Sequence, residues 1–285
     1  MALRFRLLAQ GPCLPMPPDT AFVLMLVVRM ALTALLVVTA SILAERLGPV
    51  IGALIATLPI SAGPSYVFLS LDHDALFIAE AAHTSLAINA ATLTMVPVYV
   101  LVAQRHRVLP SCTAAVAAWL ALALILHQFT WPLPAALALN AVALSVSMPL
   151  ISRYRHVATP PMGRRWTDIP LRAMLVALVV AVVVTTSRFG GPALSGVIAP
   201  FPIVLISIMV IFHPRAGGPF AAAVIANSSL GLVGFGLAIA VVHLSAAHVG
   251  SAIALSLALA TAIAWNFALW WLGLRRRLAA PTSSG

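Results

Sequence analysis

Apolar runs of roughly 20 residues follow one another along almost the whole chain, separated by short polar turns. The runs are continuous rather than alternating, so each has the make-up of a helix crossing a bilayer and not of a strand in a membrane barrel. The pattern predicts about nine spans, near residues 22–44, 49–70, 75–102, 112–130, 132–151, 170–187, 192–212, 218–243 and 249–274. The longest polar stretch, SRYRHVATPPMGRRWTDIP (152–170), holds four Arg and three Pro and reads as a linker between two halves. Two spans carry helix breakers where an unbroken helix is expected: GPVIGALIATLPISAGP (48–64) and GPALSGVIAPFPIVL (191–205).

These two stretches are in register. A shift of 143 residues brings Arg29 onto Arg172, Leu35 onto Leu178, Gly48-Pro49 onto Gly191-Pro192 and Ile55-Ala56 onto Ile198-Ala199. It also brings Pro59-Ile60 onto Pro202-Ile203, Phe77 onto Phe220 and Ser85 onto Ser228. Leu and Ala matches arise readily by chance in such a chain, but Gly-Pro, a following Pro and an Arg in one gapless register point to a duplication. Each repeat then holds four spans. The single span between them makes equivalent helices run in opposite directions, the inverted plan of many secondary transporters.

Composition agrees with this pattern. Of 285 residues 62% are hydrophobic and 8% charged, with mean hydropathy +1.08, whereas a soluble domain carries about 25% charged residues. The formal net charge of +10 suggests nucleic acid only in a soluble chain; here every basic residue is Arg, most lie in short loops, and no nucleic-acid partner is expected. With 152–169 placed in the cytoplasm, Arg46, Arg105, Arg107, Arg153, Arg155, Arg164, Arg165, Arg215 and Arg275 to Arg277 fall inside, against Arg4, Arg6 and Arg188 outside. That bias predicts a multi-pass membrane protein with its N-terminus outside and C-terminus cytoplasmic. Cys13 and Cys112 lack metal-like spacing. The expected organisation is a poorly ordered leader over 1–21, a first repeat over 22–130, a linker helix and loop over 131–169, a second, inverted repeat over 170–274, and a tail over 275–285.

The second half, LRAMLVALVVAVVV followed by GGPALSGVIAPFPIVLISIMVIF, resembles the small four-helix bacterial GlpM family, with an apolar first helix and then Gly and closely spaced Pro in the second. The likeness covers 170–274 and, more weakly, 27–130, as though a GlpM-like unit were duplicated in one chain. It implies a fold unit and carries no catalytic residues. Two four-helix units also resemble drug/metabolite-transporter proteins in architecture. The glutamate that such exporters carry in their first helix has no counterpart in spans 1 and 6.

In lipid every backbone N–H and C=O must be bonded within the protein, so a broken helix survives only where protein or a water-filled cavity covers it. Pro59 and Pro64 in one span, and Pro200 and Pro202 in the other, remove amides and open the preceding turns. Two readings fit: packing kinks eased by Gly, or matched discontinuous helices around a substrate site. On the second, Ser61, Ser65, Tyr66 and Ser207 supply nearby polar atoms.

Arg29 and Arg172 attract an anionic group or snorkel to headgroups. Glu80, the acid well inside a span, has His83 three residues on, so the two share a face, as a proton-coupling pair or an interfacial one. Ser85, Asn89 and Thr92 form a polar stripe, with Asn227, Ser228 and Ser229 in the counterpart helix; such residues line a pathway or join helices. Asp72-His73-Asp74 has metal-ligand residue types, but three adjacent turn residues cannot all reach one ion, and no metal is expected. Trp131, Trp270 and Trp271 read as interfacial anchors. No phosphate-binding loop, HExxH or Ser-His-Asp set occurs, and no cofactor is implied.

The expected protein is a secondary transporter of a small polar metabolite in a bacterial inner membrane, in contact with membrane lipids and working as a monomer or homodimer. A non-transporting membrane chaperone or regulatory subunit is the alternative, and a lipid translocase is a variant. An enzyme is not expected, since too few acids and nucleophiles lie within the spans.

Overall fold

The computed structural model describes residues 20–46, 62–157 and 167–279. Among these residues the chain is helical and has no strand. The helices are α1 (Thr20–Arg46), α2 (Ala62–Asp72), α3 (Ala75–Val102), α4 (Val108–His127), α5 (Leu133–Ser152), α6 (Asp168–Ile198), α7 (Ile203–Ala216), α8 (Gly218–Val249) and α9 (Ser251–Ala279). Seven of them, all but α2 and α7, are long and apolar enough to cross a membrane.

The two expected spans missing from that set are those with the breakers. Of span 49–70 only Ala62–Asp72 belongs to the described residues. Span 192–212 is split between the end of α6 and the whole of α7. The turn expected after residue 187 is a kink within α6, at Gly191, whose φ of 64° and ψ of −169° lie outside the helical region and favour glycine.

α3 is the buried centre of the bundle, packed against α4, α5, α6 and α8; α1 pairs with α6, and α9 with α8. Asp74 starts α3 by accepting the Phe77 N–H at 2.8 Å. Gly217 and Gly250, both with φ above 80°, turn the chain at the two ends of α8. Outward faces of α1, α4, α5 and α9 are apolar, with Leu36, Leu124, Val146 and Leu257 exposed. A soluble protein would hide such surface, whereas in a bilayer it meets hydrocarbon.

Polar side chains join the central helices. Asn89 Nδ2 donates to Asn140 Oδ1 at 2.9 Å and to the Leu232 carbonyl at 3.0 Å, which ties α3 to α5 and α8. Asn140 Nδ2 donates to the Leu86 carbonyl at 2.7 Å, and Trp119 Nε1 to Thr92 Oγ1 at 3.0 Å. Pro97 explains a further bond. A helical carbonyl accepts from the amide four residues on, and for Leu93 that residue is Pro97, which has none. Ser147 of α5 fills the vacancy, its Oγ–H donating to the Leu93 carbonyl at 3.0 Å.

Ion pairs close the two ends. Arg29 of α1 makes a bidentate pair with Asp72 at the end of α2, one contact being Nη2 to Oδ1 at 2.6 Å. Arg215 of α7 pairs with Asp168 at the start of α6. At the first end His73 Nε2 donates to Ser187 Oγ at 3.0 Å, since that hydroxyl is itself committed to the Val184 carbonyl. At the second, Tyr99 Oη and His213 Nδ1 are hydrogen-bonded at 3.0 Å, while His213 Nε2–H donates to the His106 carbonyl at 3.1 Å.

Candidate functional site

The break between α6 and α7 is the centre of the site. Pro200 lacks the amide that would bond the Gly196 carbonyl, and Pro202 lacks the one that would bond Ile198. The chain tightens instead: Ala199 N–H reaches Ser195 at 2.9 Å, and Phe201 N–H reaches Ile198 at 2.9 Å. Helix resumes at Ile203. The Ile198 carbonyl is thus served by the tight turn, which leaves Gly196 to find an acceptor's partner elsewhere.

Ser85 of α3 supplies it, its Oγ–H donating to the Gly196 carbonyl at 2.7 Å. With its proton so placed, the same oxygen accepts from Tyr66 O–H of α2, also at 2.7 Å. A directed chain therefore runs from Tyr66 through Ser85 to Gly196, from the second expected span to the seventh. Tyr66 and Ser85 are buried, so a wasted donor there would be costly. Gly196 permits the approach: a Cβ on it would stand 2.4 Å from the Ala81 carbonyl oxygen and 2.6 Å from Thr84 Cβ. Phe201, inside the break, meets the edge of Trp119 with ring centroids 5.1 Å apart.

Two cavities flank this chain. The larger, about 460 Å³, lies between α1, α2, α8 and α9, with Leu36, Pro64, Tyr66, Phe68, Phe235 and Ile239 among its apolar lining. The smaller, about 170 Å³, is lined by His83, Thr84, His127, Thr130 and Trp131 beside Ala193.

Other residues singled out in the sequence are placed as follows. Pro59 and Ser61 lie outside the described residues. Ser65 is buried in the first turns of α2, while Ser207 is buried and bonds the Val204 carbonyl of its own helix. Asn227 is exposed and donates to the carbonyls of Ala223 and Arg155; Ser228 donates to Val224 of its own helix. Glu80 is exposed on α3, while His83 stacks on His243 of α8 with centroids 4.3 Å apart. His243 Nδ1–H donates to the Ala79 carbonyl at 2.9 Å. The described residues contain no group of three potential ligands able to hold a metal ion.

Sequence reasoning passed over Asp72 as the partner of Arg29, and over Asn140 and Ser147. Asp72 was within reach, because the predicted spans put residues 29 and 72 at the same end. Asn140 stands alone in an apolar run, a signal in itself. The Arg29 guanidinium holds the Asp72 carboxyl below the usual carboxylate range, against the opposing effect of partial burial.

Compared with known proteins, the chain matches no family model, no curated protein and no solved structure. Its reading rests on its own geometry.

Proposed function

We propose that the chain is a secondary transporter of a small polar metabolite in a bacterial inner membrane, working by alternating access between two inverted repeats. The observation that carries this reading is the break at residues 199–202, a discontinuous helix amid apolar spans, wired through Ser85 to Tyr66. Exposed carbonyls and helix ends at such a break are the usual means of holding a polar substrate or ion. Two further features support the inverted arrangement. α3 and α8, equivalent under the 143-residue shift, pack along each other, and Asn89 bonds Leu232, its own equivalent. The ion pairs Arg29–Asp72 and Asp168–Arg215 fall at opposite ends; Asp72 and Arg215 are equivalent under the shift, and Asp168 precedes Arg172, the equivalent of Arg29, by four residues. With Arg-rich loops cytoplasmic, the first pair guards the outer face and the second the inner face.

A second reading is favoured by the larger cavity. Its almost wholly apolar lining suits an acyl chain, which makes a lipid translocase the variant to test alongside.

A thermal-shift screen of the detergent-purified chain against polar metabolites and lipids, between about pH 5 and 8, decides between them. Ser85→Ala leaves Gly196 without its acceptor's partner and frees Tyr66, at a cost of about 1–3 kcal/mol. It is expected to weaken the response to a transported ligand while the protein still reaches the membrane, as is Pro202→Ala. A metabolite hit lost in both variants supports the polar-substrate transporter, and a lipid hit the translocase. No hit from either class, with a partner protein retained through purification, would overturn both.

A further inference from the structure

Arg155 follows α5 and turns back against α8. Its Nη2 donates to Met148 Sδ at 2.9 Å and to Ser229 Oγ at 3.3 Å, both neutral atoms. Nε is buried without an acceptor, and both of the side chain's hydrogen bonds leave from Nη2. Among the described side chains, which do not include those of Asp19 and Glu45, no carboxylate answers the charge. Asp72 is paired with Arg29 and Asp168 with Arg215, Asp74 caps α3, and Glu80 is exposed near the opposite end of that helix. The segment 158–166, which follows, contains no acid in its sequence.

The position is also fixed. Asn227 Nδ2 donates to the Arg155 carbonyl at 3.1 Å, pinning the backbone to α8. Ser229 gives its own proton to the Ala226 carbonyl, so its oxygen is held facing the guanidinium as an acceptor. Ser229 is buried and Arg155 is half-buried against it. Partial burial depresses its proton affinity, with no nearby acid to offset it.

An uncompensated, half-buried cation is costly, and a hydrophobic residue of similar length would fill the same space without that cost. A guanidinium held on one edge by neutral atoms, with donors left on the other, is a receptor for a planar or tetrahedral oxyanion. We infer that Arg155, positioned by Asn227 and Ser229, is the binding site for a phosphate- or carboxylate-bearing anion at the Arg215 end of the bundle. The anion is a free solute or the headgroup of an acidic lipid. The site stands whether or not the chain transports.

The test uses the full chain. In detergent, sodium phosphate and sodium succinate are titrated against sodium chloride at matched ionic strength, and the melting temperature is followed. In parallel, the chain is placed in vesicles of phosphatidylcholine with and without phosphatidylglycerol. Arg155→Met keeps the length of the side chain and removes the charge; Arg153→Met removes a neighbouring cation that lies over Tyr154 instead. The expected result is a saturable rise of a few degrees that Arg155→Met abolishes and Arg153→Met keeps, in the detergent arm for a free anion or only with phosphatidylglycerol for a headgroup. In chloride and phosphatidylcholine, Arg155→Met should melt no lower than the wild type. An equal rise in wild type and Arg155→Met, loss of the rise in both variants, no rise in any arm, or a lower melting point for Arg155→Met without anion would overturn the assignment. None of these arms measures transport, so their failure leaves that reading where it stands.

Discussion

Asp72→Ala is expected to destabilise the protein by about 3 kcal/mol, considerably more than Arg29→Met. The asymmetry follows from where the two charges sit. The Arg29 side chain is 8% exposed and the Asp72 side chain 31%. Removing the carboxylate strands a buried guanidinium, whereas removing the guanidinium leaves a rim carboxylate that water can reach. The double variant Arg29→Met/Asp72→Ala should recover most of the loss, because neither charge is then unpaired. Melting temperatures of the four proteins check this, and additive effects would mean that the pair is not coupled. Acid should imitate the alanine. The Asp72 carboxyl is held down by Arg29, so its contribution is complete at neutral pH and is lost as pH falls through that lowered folded-state value, below the ordinary carboxylate value of about 4. Arg29→Met/Asp72→Ala should lack that part of the acid transition.

Gly196→Ala is expected to cost about 1–3 kcal/mol and Gly196→Val more, with a matching fall in folded protein recovered from the membrane. The added Cβ would collide with backbone, the Ala81 carbonyl, and with Thr84 Cβ, so α3 must move away from α6. That movement also draws Ser85 from the Gly196 carbonyl, so any ligand response found in the screen should weaken along with stability. Gly63→Ala is the control, since a Cβ there meets nothing within 4 Å, and its effect should stay within about 0.5 kcal/mol. Wild-type melting of Gly196→Ala would mean that the crossing of α3 over α6 is looser than the contacts indicate.

The sequence by itself determined where the long helices lie and where one of them breaks. Continuous apolar runs leave helix as the only spanning form, and a proline without an amide interrupts it at a position readable from the letters alone. Pro200 and Pro202 thus located the gap before α7, whereas the turn expected at 188–191 is a kink within α6. What takes up the carbonyls that these prolines release was decided only by tertiary packing. Ser85 reaches Gly196 across 111 residues, and Ser147 reaches Leu93 across 54, through helix crossings that no local pattern encodes. The same holds for Arg29 with Asp72 and for Arg155 with its neutral neighbours. Residue type announced a charge or a hydroxyl, but in a low-dielectric interior its role depends on what stands opposite it, and that is a property of the assembled bundle.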